Sequence, residues 1–126
     1  MNIPVASLLV AGVLPICSTA IAKWGFSQFD NNNPREWLDK QTGFRARANA
    51  AQHNAFEAFP FFAVAVVLGL VLELDAAVLD RYCLVFVAAR VLYLVAYVAD
   101  IAGFRTLCWL LGYASCVAIY VQLLIR

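Results

Sequence analysis

An amide and a carboxylate lie where the sequence changes from basic and water-loving to strongly apolar. Asn54 and Glu57 follow Arg47 and lead into a long apolar run. On a helix these three residues share one face with Ala50 and Phe61, because the positions recur at steps of three and four. A charged side chain near the centre of a membrane helix costs about 2.5 to 3.5 kcal/mol. This face is therefore expected to meet protein or water and not lipid.

A second polar set lies later in the chain, inside another apolar run. Arg90, Tyr93 and Tyr97 are spaced at i, i+3 and i+7, so they share one face of a helix. Arg90 and Glu57 are the two ionisable groups well inside apolar runs, and we expect them to be partners. Two interpretations stay open: an ion pair that fixes helix packing, or contact of Glu57 with a ligand. Tyr97 also fits a tyrosine of the interfacial belt.

The elements that carry these residues are predicted to be membrane helices. The chain has 126 residues, is 64% hydrophobic and 13% charged, and has a mean hydropathy of +0.80. Soluble domains contain about 25% charged residues, so this composition indicates a membrane protein. We predict one domain over 1–126 with an all-α fold, an integral membrane four-helix bundle. Its spans are expected at about 3–24, 46–73, 80–99 and 105–125.

Three local features qualify this prediction. A cleaved signal peptide is the competing interpretation of the first span, although no basic region precedes the apolar run. Between 25 and 42 we expect one long aqueous loop that is polar and rich in turns. Pro60 lies inside the second span, where a kink is expected because proline removes a helix hydrogen bond.

Basic residues predict the orientation of the spans. Six of them lie at the first loop or the short turn after the third span: Lys23, Arg35, Lys40, Arg45, Arg47 and Arg105. Only Arg81 and Arg126 lie on the opposite side. By the positive-inside rule the long loop faces the cytoplasm, so both termini are expected on the non-cytoplasmic side.

Other kinds of site have little support in the residues. We interpret the four cysteines as buried free thiols, because all fall in apolar stretches without C-x-x-C spacing; they are Cys17, Cys83, Cys108 and Cys116. His53 is a lone histidine with no second ligand, so no metal site is predicted. A net charge of +1 without a basic stripe gives no case for nucleic acid.

Two blocks of residues resemble the signature of a known family. The first reads Ala51-Gln52-x-Asn54-x-x-Glu57-x-x-Pro60-x-Phe62, and the second reads Arg90-x-x-Tyr93-x-x-x-Tyr97, followed by Arg105. With their order, their separation and the total length, they resemble the membrane-associated proteins in eicosanoid and glutathione metabolism, the MAPEG family. The resemblance covers essentially the whole chain and favours a prokaryotic-type member in the bacterial inner membrane.

This resemblance implies an assembly and an activity. Members are trimers of four-helix protomers, and glutathione binds in the membrane between neighbouring protomers, open to the cytoplasm. They transfer glutathione to lipophilic electrophiles, reduce lipid hydroperoxides or isomerise endoperoxides. A homotrimer, membrane lipid and a lipophilic substrate are therefore the implied partners, with glutathione as the implied cofactor.

The resemblance also implies roles for residues. Contacts to glutathione are implied for Arg47, Asn54, Glu57, Tyr97 and Lys23, and catalytic roles for Arg105 and Tyr93. Arg105 is expected to stabilise the sulfur anion, with Tyr93 as the next candidate. Eicosanoid-branch members carry an arginine where this chain has Ala50, so Arg47 and Lys23 are expected to supply cations in its place.

Two alternative functions stay open. One is a non-enzymatic, lipid-presenting scaffold of the same fold, which Ala50 favours and Arg105 disfavours. The other is a small proton-coupled exporter. It has less support, because such transporters carry their membrane carboxylate in the first span and here that span has none.

Overall fold

Five α-helices make up the part of the chain that the computed structural model describes, residues 1–25 and 28–126. They are α1 (Ile3–Ala22), α2 (Pro34–Asp39), α3 (Gly43–Val71), α4 (Ala76–Val98) and α5 (Ala102–Leu124). No strand occurs in these residues. All except α2 are long and apolar enough to cross a membrane. The predicted all-α, integral membrane four-helix bundle is confirmed.

The three later membrane helices begin before the predicted limits of their spans. α3 begins at Gly43, α4 at Ala76 and α5 at Ala102. Hydropathy reports only the apolar part of a helix, whereas the helix itself continues into polar surroundings until a cap ends it. Asp75 is such a cap, since its carboxylate accepts a hydrogen bond from Val78 N at 3.0 Å. As a result, Arg105 lies in the first turn of α5 and not just before it.

α3 and α4 end in the same way, with an acidic residue in the left-handed conformation. Glu73 has φ 53° and Asp100 has φ 61°. After α4, Ile101 N donates to Ala96 O at 2.9 Å and Asp100 N donates to Tyr97 O at 3.1 Å. This is the Schellman pattern, which satisfies the last carbonyls of a helix. The tight turn brings the first turn of α5 beside the last turn of α4.

The loop expected between 25 and 42 contains a short helix that the sequence analysis missed. Pro34 starts α2, and buried Leu38 anchors it to the bundle. Just before α2, the Asp30 carboxylate accepts hydrogen bonds from Asn33 Nδ2 at 3.1 Å and Asn32 N at 2.9 Å. The two bonds, the Asn33 bond foremost, hold the pKa of Asp30 below its usual value. Proline at the first helical position was the signal available in the sequence.

α1 packs on α3, and α4 packs on α5, while α3 and α4 meet in the middle of the bundle. The Phe62 and Phe86 rings stack there with centroids 3.7 Å apart. Nearby, a Cβ built on Gly69 would lie 2.9 Å from Leu79 Cδ1. A larger residue at this position would require the Leu79 side chain to shift, so Gly69 leaves room for Leu79 between α3 and α4.

Two further expectations concern single residues. Cys83, Cys108 and Cys116 are buried free thiols as predicted, but Cys17 is exposed, because it lies on the face of α1 that turns away from the other helices. α3 runs through Pro60 as one continuous helix.

Candidate functional site

A row of two tyrosines flanked by two arginines runs along the second half of α4 and onto α5. Arg90 Cζ lies 4.3 Å from the centroid of the Tyr93 ring, and Arg105 Cζ lies 4.4 Å from the centroid of the Tyr97 ring. The two rings meet edge to face, with centroids 5.5 Å apart. A guanidinium over an aromatic face is attracted by the electron-rich ring. The row therefore joins the four residues of the second sequence block into one surface.

The local fold explains why Arg105 belongs to this row. The Schellman turn at Asp100 reverses the chain directly after α4, and Arg105 N donates to Ile101 O at 2.9 Å in the first turn of α5. Tyr97 is the penultimate residue of α4. The guanidinium of Arg105 thus reaches back over the Tyr97 ring, although the two residues lie on different helices.

Arg90 is the most enclosed member of the row. Its side chain is only 4% exposed, and a Cβ built on Gly112 of α5 would lie 3.4 Å from its Cδ. Gly112 therefore leaves the space through which the Arg90 stem passes. Tyr93 is also buried, against Ala51, Leu94 and Cys108.

The Arg90 guanidinium and the Glu57 carboxylate line one half-open pocket of about 180 Å³ between α3, α4 and α5. The remaining lining residues are mostly aromatic or small: Ala58, Phe61, Phe86, Trp109, Tyr113 and Cys116. The expected ion pair between Glu57 and Arg90 is wrong, since the one ion pair among residues 1–25 and 28–126 joins Lys40 to Glu36. The two charges flank a space instead of touching, because Arg90 turns its guanidinium onto the Tyr93 ring.

Asn54 lies one turn before Glu57 and carries an unsatisfied atom. Its Oδ1 is buried and has no hydrogen-bond partner within the described part of the chain. Leaving a buried acceptor without a donor costs about 1 to 3 kcal/mol. Native structures rarely keep such an atom unpaired, so Asn54 is a polar group that the described part of the chain leaves unsatisfied.

Arg90 links the second block to the first. Its guanidinium lies over the Tyr93 ring, and Arg90 lines the same pocket as Glu57. Five of the residues singled out in the sequence are thereby brought to one region of the bundle.

Arg47 and Lys23 are placed differently. Arg47 donates from Nε and Nη2 to Val98 O, the last carbonyl of α4, at 3.2 and 3.1 Å. Lys23 Nζ lies 4.3 Å from the centroid of the Phe29 ring in the loop. Both cations have partners within the chain, and their assignment to glutathione stays a prediction.

Two aromatic residues of the pocket region, Trp109 and Tyr113, were not named in the sequence analysis. The Trp109 and Tyr113 rings stack at 5.4 Å, and Tyr113 stacks on Phe61 of α3 at 5.5 Å. The i, i+4 spacing of Trp109 and Tyr113 was the available signal. Their rings form an aromatic wall beside the Glu57 carboxylate.

No group of three His, Cys, Asp or Glu side chains that could hold a metal ion occurs in residues 1–25 and 28–126. His53 is exposed on α3.

Comparisons with known proteins identify the family. The model described as the MAPEG family matches residues 3–125. No curated protein and no solved structure matches the chain. Four membrane helices and a family match over nearly the whole length agree with each other. The chain belongs to the MAPEG family and is an integral, multi-pass membrane protein of a glutathione-related family of transferases and peroxidases.

Proposed function

We propose that this protein is a membrane-embedded, glutathione-dependent transferase or peroxidase. Its substrates are lipophilic electrophiles or lipid hydroperoxides. The observation that carries the proposal is the row of Arg90, Tyr93, Tyr97 and Arg105, which leads from the pocket beside Glu57 to the end of α4. Family membership supports the same activity.

The charges around the pocket suit one end of glutathione. The γ-glutamyl residue carries an amine and a carboxylate on the same carbon. Glu57 and Arg90 offer a carboxylate and a guanidinium on the walls of the same pocket, without neutralising each other through a direct contact. Charge-assisted hydrogen bonds of this kind are among the stronger polar contacts in proteins.

Arg105 is suited to act on the sulfur. Its guanidinium lies on the Tyr97 ring, and it makes no ion pair or side-chain hydrogen bond within the described residues. The ring fixes the plane of the guanidinium while its N–H edge stays free. A thiol has an ordinary pKa of about 8.5, and a nearby cation lowers it and raises the reactive fraction of thiolate. Tyr93 is the second candidate, as a hydrogen-bond donor to sulfur.

Glutathione supplies the nucleophilic sulfur in either reaction. The aromatic wall of Trp109, Tyr113 and Phe61 borders the pocket on its apolar side. A lipophilic substrate held against this wall lies close to the polar row. The aromatic faces exclude water from the reacting groups and thereby strengthen the electrostatic effect of Arg105.

The working form in this proposal is a homotrimer. Glu57 is exposed in the single chain, so its carboxylate gains protein surroundings when protomers assemble. We place the site toward the cytoplasm of a bacterial inner membrane, with both termini on the other side, because of the basic residues at that end.

One observation favours a second candidate, a lipid-presenting scaffold without catalysis. Ala50 supplies no cation, Arg47 is engaged by Val98 O, and Lys23 lies over Phe29. The cations expected to replace an arginine at Ala50 are thus occupied. A scaffold needs no tightly bound glutathione.

The test is glutathione binding by the detergent-purified protein, followed by conjugation of a model aryl halide and reduction of a lipid hydroperoxide. Binding at millimolar concentration or below, with either reaction, supports the enzyme. Arg81→Ala, at the opposite end of the bundle, is the matched control and should behave as wild type. Lipid binding without glutathione binding would establish the scaffold instead.

A further inference from the structure

A second pocket lies at the opposite side of α3 from the glutathione region, between α2 and the first half of α3. Its volume is about 330 Å³, which is in the range of small-ligand sites. It is lined by Arg35, Leu38, Asp39, Asn49, Gln52, His53 and Phe56. None of these residues lines the pocket beside Glu57. The proposed glutathione site leaves them without a role.

The length of α3 places this pocket at the membrane surface. α3 has 29 residues and is about 43 Å long at about 1.5 Å per residue. The hydrocarbon core is about 30 Å thick and takes about 20 residues. Because α3 ends at Val71 and Glu73 follows, the excess length lies at its beginning. About 20 residues counted back from Val71 reach Gln52, so Asn49 lies at the level of the lipid headgroups and Phe56 lies one turn inside the hydrocarbon core.

The pocket changes character along its depth. At the end toward water it has the charged side chains of Arg35 and Asp39 on α2. At the other end it has Phe56, which is 52% exposed although it lies in a membrane helix. A ligand that matches this gradient has a polar head and an apolar chain.

The polar atoms of the pocket specify the head. Arg35 makes no ion pair or hydrogen bond within residues 1–25 and 28–126, so its cation is available for an anion. Asn49 is only 8% exposed and donates from Nδ2 to Asp39 Oδ1 at 3.4 Å. The Oδ1 atom of Asn49 has no hydrogen bond within the same residues. Beside the available cation, the pocket thus presents a carboxylate and an amide oxygen, which are acceptors that suit an ammonium group.

We propose that this pocket binds the headgroup of a zwitterionic phospholipid with a primary ammonium. The phosphate lies on Arg35, the ammonium lies on Asp39 and Asn49, and an acyl chain passes Phe56. A primary ammonium has three N–H donors for these acceptors, whereas a quaternary ammonium has none. The pocket therefore favours an ethanolamine head over a choline head.

Native mass spectrometry of the purified oligomer in mild detergent tests this proposal. The oligomer is incubated with equal amounts of phosphoethanolamine and phosphocholine lipids that carry the same acyl chains. We expect the ethanolamine lipid to be retained severalfold more than the choline lipid. Arg35→Ala should lower retention of both lipids roughly tenfold to a hundredfold, the effect of one lost charge-assisted contact. Asp39→Asn should remove the preference and leave most of the choline binding unchanged.

Arg81→Ala is the control, because Arg81 is an exposed arginine at the other surface of the membrane. It should retain both lipids as wild type does, and all variants should keep the same oligomer mass. Equal retention of the two lipids by wild type, or Arg35→Ala behaving like Arg81→Ala, overturns the proposal. So does displacement of the lipid by soluble phosphoethanolamine or inorganic phosphate at equal concentration, which would make the pocket a site for a soluble anion. Glutathione is not involved in any of these measurements.

Discussion

Two pairs of arginines in the bundle make opposite kinds of contact. Arg45 and Arg47, in the first half of α3, reach the last carbonyls of other helices: Arg45 Nη1 donates to Ala22 O of α1 at 2.9 Å, and Arg47 donates to Val98 O of α4. The side chains of Arg90 and Arg105 lie on tyrosine rings and make no hydrogen bond within the described residues.

The difference shows that arginine stabilises the fold in one place and is available for binding or chemistry in another. A guanidinium that satisfies orphan helix carbonyls is committed to the fold and interacts favourably with the negative end of the helix dipole. A guanidinium held by its face on an aromatic ring keeps its N–H edge for a ligand. Changes to the first pair should therefore alter stability, and changes to the second should alter binding or reaction.

The largest effect is expected for Arg105→Ala. Conjugation should slow severalfold to a hundredfold while glutathione binding stays largely intact, because a lost charge contact is worth about 1.5 to 3 kcal/mol. Arg105→Lys should recover part of the rate, since a point cation still favours the sulfur anion. The measurement is the ultraviolet absorbance of bound thiolate, followed against pH in wild type and variant. Titration of both at the same pH would remove Arg105 from the activating role and leave Tyr93 as the candidate.

Arg47→Ala tests the other pair of arginines and should alter stability without altering chemistry. We expect a loss of about 1.5 to 3 kcal/mol in the free energy of unfolding, because Val98 O loses two charged donors. Unfolding by denaturing detergent measures this loss, and Arg47→Lys should restore part of it. The thiolate titration should not move. A shifted titration at unchanged stability would mean that Arg47 acts on glutathione as the family resemblance implies.

A smaller effect is expected for Gly112→Ala. The new Cβ would lie 3.4 Å from Arg90 Cδ, in close van der Waals contact, so it restricts the Arg90 side chain beside the Glu57 pocket. Glutathione binding should weaken a few-fold, with a higher KM and little change in kcat. Gly103→Ala is the matched control, since a Cβ there meets nothing within 4 Å. Equal binding by both variants would separate Arg90 from the ligand.

The smallest effect is expected for Glu36→Gln, which removes the partner of Lys40 in a solvent-exposed ion pair. The hydrogen bond from Lys40 to Glu36 at 2.6 Å, together with the Glu36 charge, raises the pKa of Lys40. The contribution of this pair is present below the ordinary lysine pKa of about 10.4 and disappears as the pH rises through the raised value. Glu36→Gln should return the Lys40 pKa toward the ordinary value, as NMR would show, without a measurable change in unfolding. A large change in stability would mean that α2 depends on this exposed pair.

Some features of this protein were determined by the sequence alone, because they depend on local composition. The twenty uncharged residues from Ile3 to Ala22 are predicted to cross the hydrocarbon core whatever the rest of the chain does. The same reasoning predicted the other three membrane helices. Spacing along one helix also placed Arg90, Tyr93 and Tyr97 on one face, and the structure joins them in one row. Asn33 and Pro34 could also have predicted the start of α2, but the polar, turn-rich composition of residues 25–42 favoured a loop.

Other features were decided only by the tertiary structure, because they depend on how far each helix is rotated and how deep it lies relative to its neighbours. Arg47 and Val98 are far apart in sequence and meet because α3 begins where α4 ends. Glu57 and Arg90 line one pocket without forming an ion pair, because the Arg90 guanidinium lies on the Tyr93 ring. Side-chain type and spacing fix the face of one helix, whereas contact between two helices depends on packing that no single segment contains.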